Sequence, residues 1–294
     1  MTSEGGLGNL WIVGTGRLGP ALGVEILRAG GASHLTFLGR SPHAPHLPVL
    51  TNANVGYVHV DAAGDIAAPD TVLIAVPDGS IRAVSASLAS LRIPPVVAIH
   101  TSGALSAAEL SDLNALRWRT GSVHPLVAIP DAVESAKKLR GAWFGIEGDE
   151  EAVAAGRYII SLLGGHALFI TAEQKPLYHA AAVMASNYVV ALLDVAVGLL
   201  SRSGLDPADA ANALGRLAEG AAADVAETGS RQALTGPLLR GDVGTIRLHM
   251  NRLSREETQL YSVLAREALR IATDRGLSAE TASAVDDILR EADG

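Results

Sequence analysis

The chain has 294 residues, of which 48% are hydrophobic and 18% charged, so it can bury a large core and is long enough for two domains. Its 31 acidic residues outnumber its 23 basic ones without any basic run, and the net charge of -8 argues against a nucleic-acid partner. It contains no cysteine, which excludes disulfides, thiolate metal sites and a cysteine nucleophile and agrees with a cytoplasmic location. A small-molecule substrate is the expected partner.

The first half of the chain alternates short apolar runs with helical patterns, which predicts a parallel sheet with crossover helices. Because no Lys or Arg precedes Arg17, the first apolar run is assigned to a strand and not to a secretion signal. Seven strands are predicted: Asn9–Val13, His34–Leu38, Tyr57–Val60, Thr71–Val76, Val96–His100, Arg119–His124 and Trp143–Glu147.

The run "VGTGRLG" joins the first predicted strand to the first predicted helix. Its glycines have the G-x-G-x-x-G spacing: Gly14 allows a tight turn, Gly16 lets a pyrophosphate approach the backbone, and Gly19 lets the helix pack on the sheet. The N-terminus of the helix adds free N–H groups and a partial positive charge. We expect a dinucleotide to be bound by Gly14, Thr15, Gly16, Arg17, Leu18 and Gly19.

The second strand ends in "LTFLGRS", where such sites usually place a carboxylate that holds the adenosine ribose. Here Arg40 and Ser41 take that place, and both can donate hydrogen bonds to a ribose 2′-phosphate. NADP(H) is therefore the expected cofactor, and a solvated loop arginine is the alternative. The nearby His43 and His46 lie in a proline-rich loop without a third ligand, so no metal site is expected.

Polar residues follow three more strands, in "AVPD", "HTSG" and "HPL". Ligands of open α/β sheets lie beyond the carboxyl ends of the strands, which favours a shared site over a set of separate strand-end turns. The residues expected to line the dinucleotide are Ala75, Val76, Pro77, Thr101 and Ser102. His124 is expected to face the substrate.

From Thr171 onward, alanine-rich helical periodicity replaces the strand pattern. We therefore predict a Rossmann domain over residues 1–170 and an all-helical substrate and dimerisation domain over residues 171–294. The helices are expected at Glu173–Ser203, from Asp206-Pro207 onward, and around Asp242–Leu253, Glu256–Asp274 and Ala279–Ala292.

The stretch Ala181–Leu200 approaches the ~20 residues that a membrane-spanning helix needs. Ser186, Asn187 and Asp194 interrupt it, and no basic clusters flank it, so a helix buried in a soluble protein is expected. Its apolar face exceeds what one small helical domain can cover, which predicts a homodimer packed through this helix.

One face of this long helix carries Lys175, Tyr178, His179 and Ser186 within an arc of about 100°, with Asn187 beyond it. Lys175 or His179 could polarise a carbonyl or pass a proton. The alternative to a substrate site on this face is a close-packed helix interface whose polar groups lie at its solvent-exposed end. The candidate catalytic residues are His124, Lys175, His179 and Asn187.

The set "GTGRLG", "GRS", "AVPD", "HTSG", "HPL", "YHAAAVMASNY" and "TGPLLRGD" resembles Rossmann-like proteins whose C-terminal domain is the domain of unknown function DUF2520. Those proteins are similar to deazaflavin-dependent NADP oxidoreductases and pyrroline-5-carboxylate reductases, in the 6-phosphogluconate-dehydrogenase-like group. The resemblance implies a doubly wound, mainly parallel α/β sheet followed by an all-α domain, NADP binding and a dimer.

Two further resemblances bear on the chemistry. The His-Pro of "SVHPL" is similar to that of prephenate dehydrogenases, which implies a substrate contact for His124. In β-hydroxyacid dehydrogenases a helix lysine is followed four residues later by an asparagine, whereas Lys175 is followed by His179. The expected function is hydride transfer between NADP(H) and a small carbonyl, imine or hydroxy acid; the alternative is a catalytically silent NADP-binding sensor or interaction protein.

Overall fold

In the computed structural model, which describes residues 6–91 and 93–291, eight strands form one sheet of order β3-β2-β1-β4-β5-β6-β7-β8. The strands are β1 (Asn9–Val13), β2 (His34–Gly39), β3 (Val55–His59), β4 (Thr71–Ile74), β5 (Val97–His100), β6 (Arg119–Pro125), β7 (Trp143–Gly148) and β8 (His166–Phe169). The order reverses at β1, where β2 lies on one side and β4 on the other, which is the crevice where doubly wound sheets bind ligands.

All neighbouring strands are parallel except β6 and β7, which are antiparallel. The carboxyl ends of β1, β4, β5 and β6 therefore share one edge of the sheet. The reversed direction of β7 places Gly145 directly opposite His124 at that edge.

Both faces of the sheet are buried, and alternate side chains of β1 therefore enter two different hydrophobic cores. Leu10 and Ile12 belong to one buried cluster, and Trp11 and Val13 to another. The helices among the strands are α1 (Leu18–Arg28), α2 (Ile81–Ser90), α3 (Ser111–Ala115) and α4 (Glu150–Leu162).

All seven predicted strands are present, with ends displaced by two residues at most. The eighth strand, His166–Phe169, was not predicted, since its four residues follow a Gly-Gly pair and show too little alternation to be separated from a turn.

The chain divides into two compact units, Met1–Asn187 and Tyr188–Gly294. The division falls later than the predicted boundary after residue 170. The physical reason is that the next helix, α5 (Lys175–Ala185), sends Lys175 and Tyr178 into hydrogen bonds with strand residues of the first unit.

The described part of the second unit is helical. Its helices are α6 (Asn187–Arg202), α7 (Pro207–Thr228), α8 (Ser230–Ala233), α9 (Pro237–Arg240), α10 (Val243–Met250), α11 (Arg255–Asp274) and α12 (Ala279–Glu291). Asp206 caps α7 by accepting hydrogen bonds from the backbone of Ala208 and Asp209, and α7 begins where a helix was predicted, at Asp206-Pro207. The predicted helix over 173–203 is present, but it is interrupted at Ser186, whose φ of -124° and ψ of -72° depart from helical geometry and separate α5 from α6.

The segment Ala172–Arg202 is long and apolar enough to cross a membrane by length and composition, with a mean hydropathy of 1.9. The expectation that it is buried is wrong for a single chain: none of its apolar window is buried, and Lys175 is the one buried residue of α5. Apolar side chains along it, such as Leu177 and Val190, are largely exposed.

Candidate active site

The turn after β1 has a shape that requires glycine at two positions. Gly14 has a φ of +112°, and a Cβ there would lie 2.3 Å from the carbonyl oxygen of Ala75. A Cβ on Gly19 would lie 2.3 Å from the carbonyl oxygen of Gly14. The turn and the first turn of α1 are thereby packed against β4, as the spacing indicated.

Gly16 differs from these two glycines because open space surrounds it. A Cβ built on Gly16 meets no atom within 4 Å. The N-cap residue of α1, Arg17, makes no side-chain cap, so the first N–H groups of the helix keep their hydrogen-bonding capacity. This open cradle with free N–H groups fits the pyrophosphate of a dinucleotide.

The loop after β2 is held by two side chains of β3. His59 Nε2 contacts the carbonyl oxygen of Arg40 at 3.1 Å, and the Tyr57 hydroxyl donates to the carbonyl oxygen of Ser41 at 2.5 Å. The Arg40 side chain is exposed, and the described residues give it no ion-pair partner. The Arg40 guanidinium is thus available to a ligand on a loop held by Tyr57 and His59, and this arrangement fits a ribose 2′-phosphate.

The predicted cofactor residues after β5 use their polar atoms within the protein. The Ser102 hydroxyl accepts hydrogen bonds from the backbone of Ala104 and Leu105, at 3.2 and 3.0 Å. The Thr101 backbone N–H donates to Ile74, the last residue of β4. Ala75, Val76 and Pro77 follow β4 at the same edge of the sheet.

His100, the last residue of β5, has both ring nitrogens satisfied. The Ser102 N–H donates to its Nδ1 at 3.1 Å, so Nε2 carries the proton that is donated to the Ser106 carbonyl oxygen at 3.0 Å. Burial lowers the pKa of His100 to about 4, and the ring stays neutral near pH 7. Its role is to hold the loop after β5.

Lys175 is completely buried at the start of α5. Its Nζ donates to the Ser102 carbonyl oxygen at 2.9 Å and to Ser122 Oγ at 2.5 Å, and lies 4.0 Å from Glu147 Oε1. Burial lowers the pKa of Lys175 to about 8, an effect that the neighbouring Glu147 opposes. The lysine therefore anchors α5 to the ends of β5 and β6 from inside the protein.

His124 and Tyr178 form a hydrogen-bonded pair at the end of β6. The Tyr178 hydroxyl lies 3.0 Å from His124 Nδ1, donates to the His124 carbonyl oxygen at 3.2 Å, and accepts from the Gly145 N–H at 3.1 Å. Burial lowers the pKa of His124 to about 4, with further lowering by His179 and Lys175, and burial raises the pKa of Tyr178 to about 12. Both rings are neutral near pH 7.

His179 lies beside His124, with ring centroids 5.7 Å apart and planes nearly perpendicular. Its Nδ1 is buried and has no hydrogen-bond partner within the described part of the chain. A Cβ on Gly103 would lie 2.6 Å from His179 Nδ1 and 2.9 Å from His124 Nε2, so both nitrogens face the backbone of Gly103. Both nitrogens are therefore packed close to Gly103, and neither has a hydrogen bond among the described residues.

The structure brings together His124, His179 and Lys175 of the predicted catalytic set. Asn187 is exposed at the start of α6, and no hydrogen bond among the described residues joins it to this cluster. Sequence reasoning gave no role to Tyr178 or Gly103; the signals available were the shared helix face of Lys175 and Tyr178 and the "HTSG" turn. Within residues 6–91 and 93–291, no three His, Asp or Glu side chains are grouped to hold a metal ion.

Comparison with known proteins supports this fold. Residues 142–268 match the family described as "Domain of unknown function (DUF2520)", and over this segment the resemblance predicted from the motifs is confirmed. The matched segment begins just before β7 and therefore includes the last two strands of the sheet. No match was found among curated proteins.

Solved structures resemble nearly the whole chain. Protein TM1727 from Thermotoga maritima is 26% identical, with a TM-score of 0.70 and coverage of 90% of this chain and 99% of that one. A putative NADP oxidoreductase from Bacteroides fragilis is 19% identical, with a TM-score of 0.69 and coverage of 89% and 98%. Plasmodium falciparum pyrroline carboxylate reductase with NADP bound is 15% identical, with a TM-score of 0.61 and coverage of 94% and 98%. The predicted fold class, a Rossmann-like α/β sheet followed by helices, is confirmed.

Proposed function

We propose that this protein is an NADP(H)-dependent oxidoreductase that transfers a hydride to or from a small carbonyl, imine or hydroxy-acid substrate. One observation carries the proposal: the open cradle at Gly16 and the unused nitrogen of His124 lie at the same edge of one sheet. The similarity to a putative NADP oxidoreductase and to a pyrroline carboxylate reductase supports it.

In this proposal the chain's residues have separate tasks. Gly14, Gly16 and the first turn of α1 bind the pyrophosphate, and Arg40 with Ser41 binds the 2′-phosphate. A bound nicotinamide supplies or accepts the hydride. His124 Nε2 contacts the substrate's reacting polar group and exchanges the proton of that group.

Replacing Arg40 tests the cofactor part of the proposal. Arg40→Asp removes a charge-assisted hydrogen bond to the 2′-phosphate and adds repulsion, so we expect NADPH to bind about 10-fold to 100-fold more weakly. NADH binding should change little. Isothermal titration of both cofactors measures this, with Arg117→Asp as the control, because Arg117 is exposed and precedes β6 at the other edge of the sheet. Equal losses for both cofactors would mean that Arg40 does not read the phosphate.

The chemical part is tested with NADPH, NADP⁺ and a panel of ketoacids, hydroxy acids and imines, followed by absorbance of the reduced nicotinamide. We expect turnover with a member of the panel and its loss in His124→Asn with NADPH binding retained. Tight NADPH binding without any turnover, together with unchanged ligand binding in His124→Asn, would favour the non-catalytic sensor.

We further propose that a second copy of the chain covers the exposed apolar helices, giving a soluble cytoplasmic homodimer. Large apolar side chains of the second unit are exposed in the single chain, among them Val190 at 68% and Leu217 at 70%. Burying such faces is the usual origin of obligate homodimers. Sedimentation without detergent should give a dimer; a monomer, or a requirement for detergent, would contradict this.

A further inference from the structure

The hydroxyl of Tyr178 has one proton to donate and two lone pairs to accept with, and it has three partners. The Gly145 N–H can only donate and the His124 carbonyl oxygen can only accept. The phenol proton therefore points to that carbonyl oxygen at 3.2 Å, and one lone pair takes the Gly145 N–H. The lone pair that remains needs a donor.

His124 Nδ1, 3.0 Å away, is the group that can supply this donor. If Nδ1 were bare instead, the phenol proton would turn to it and leave the His124 carbonyl oxygen facing an oxygen lone pair. Because only the Nδ1–H form satisfies all three contacts, the hydrogen bonds select one tautomer of the neutral ring. The raised pKa of Tyr178, about 12, keeps the phenol protonated at neutral pH.

The other nitrogen of His124 then carries a bare lone pair. Nε2 has no hydrogen bond among the described residues and belongs to a half-buried side chain beside Gly103, whereas the unpartnered Nδ1 of the neighbouring His179 is fully buried. In this tautomer Nε2 can accept a hydrogen bond but cannot donate one, because the single ring proton is on Nδ1. A ligand group that contacts Nε2 must therefore donate a hydrogen bond to it.

We propose that Tyr178 is a positioning residue that holds His124 as the Nδ1–H tautomer, so that Nε2 accepts the hydrogen of a substrate hydroxyl. This inference rests on the oxidoreductase function proposed above and narrows its substrate to a hydroxy compound in the direction of oxidation. As the carbon loses its hydride to the oxidised dinucleotide, the O–H bond breaks, its proton moves to Nε2, and its electron pair completes the C=O bond.

The tautomer can be measured without cofactor or substrate by ¹⁵N NMR of the histidine side chains near pH 7.5. His124→Asn identifies the His124 signals by their loss. In the unmodified protein we expect Nδ1 to show the shift of a protonated, pyrrole-type nitrogen and Nε2 that of a bare, pyridine-type nitrogen. A protonated Nε2 in the unmodified protein would overturn the proposal, whatever the variants do.

Tyr178→Phe removes the acceptor of the Nδ1–H and keeps the ring, so the pyrrole-type signal at Nδ1 should be lost or reduced. Tyr188→Phe is the matched control, because Tyr188 is 61% exposed and outside the cluster. An unchanged His124 tautomer in folded Tyr178→Phe would contradict the proposal. NADPH titration of the same variants keeps the two proposals distinguishable, since a failure to bind NADPH would count against the oxidoreductase function and leave the tautomer result standing.

Discussion

The ends of two neighbouring strands, β5 and β6, each place a histidine at the same edge of the sheet, but the two histidines differ in what they have left to bind. At the end of β5, both nitrogens of His100 are occupied by Ser102 and Ser106. At the end of β6, His124 uses Nδ1 on Tyr178, while its Nε2 faces Gly103. In the proposed function this difference assigns the substrate contact to the end of β6, because His124 keeps a polar atom without a hydrogen bond among the described residues and His100 does not.

The same contrast separates Lys175 from His179 on α5. The lysine donates to Ser102 and Ser122 and is fully buried, whereas His179 Nδ1 is buried without a partner. We call the first set, Lys175 with His100, the saturated region, and the second, His124 with His179, the unsaturated region. Changes in the saturated region should affect stability, and changes in the unsaturated region should affect ligand binding.

The largest effect is expected for Lys175→Met. The substitution keeps the apolar stem but leaves Glu147 and the Ser102 carbonyl oxygen without their buried partner. We expect the free energy of unfolding to fall by about 3–5 kcal/mol. Urea unfolding measures it, with Lys138→Met, an exposed lysine, as the control. If the free energy of unfolding falls no more in Lys175→Met than in the control, the hydrogen bonds of Lys175 do not stabilise the fold.

The second effect is a pH dependence of stability. The pKa of His100 is about 4 in the folded protein and 6.5 without the fold, so between these values the unfolded chain binds the extra proton. Stability should therefore fall as the pH drops from about 6.5 to 4, by on the order of 3 kcal/mol for His100 at 1.36 kcal/mol per pKa unit. Urea midpoints at pH 7 and pH 5 should differ less in His100→Asn than in the unmodified protein. Equal differences would show that His100 is accessible to protons in the folded state.

The smallest effect on stability is expected for Gly103→Ala in the unsaturated region. The added Cβ would lie 2.6 Å from His179 Nδ1 and 2.9 Å from His124 Nε2, which forces the imidazoles apart at a cost of about 1–3 kcal/mol. Binding of the panel substrate should be lost while NADPH still binds. Gly64→Ala, whose Cβ meets no atom closer than 3.8 Å, is the control. Retained substrate binding in Gly103→Ala would mean that His124 Nε2 does not form the substrate contact.

Much of the fold could be predicted from local patterns. The strands of the first half, the glycine turn and the start of α7 at Asp206-Pro207 depend on residues close together in the sequence, and periodicity and spacing identify them. The four-residue strand β8 and the break at Ser186 carry no such pattern. The extent of the exposure of α6 in the single chain could not be predicted, because burial depends on which other helices pack there.

The sequence predicted at which edge of the sheet the candidate site lies and which residue types line it. It did not predict what each residue does there. Sequence placed His100 and His124 alike after strands, and the partners that distinguish them are set by tertiary contacts. Tyr178 meets His124 from 54 residues away, through the antiparallel step that brings Gly145 beside it. Lys175 was a candidate proton donor, yet its position inside the protein follows from contacts with Ser102 and Ser122 that no local spacing specifies.

The most direct test of the proposed function is a crystal structure of the protein with NADP⁺ bound. We predict the pyrophosphate at Gly16, the 2′-phosphate at Arg40, and the nicotinamide C4 facing His124 Nε2 across a gap that admits one substrate group. A nicotinamide ring placed away from the end of β6, with no polar group of the chain in reach of C4, would contradict the proposal.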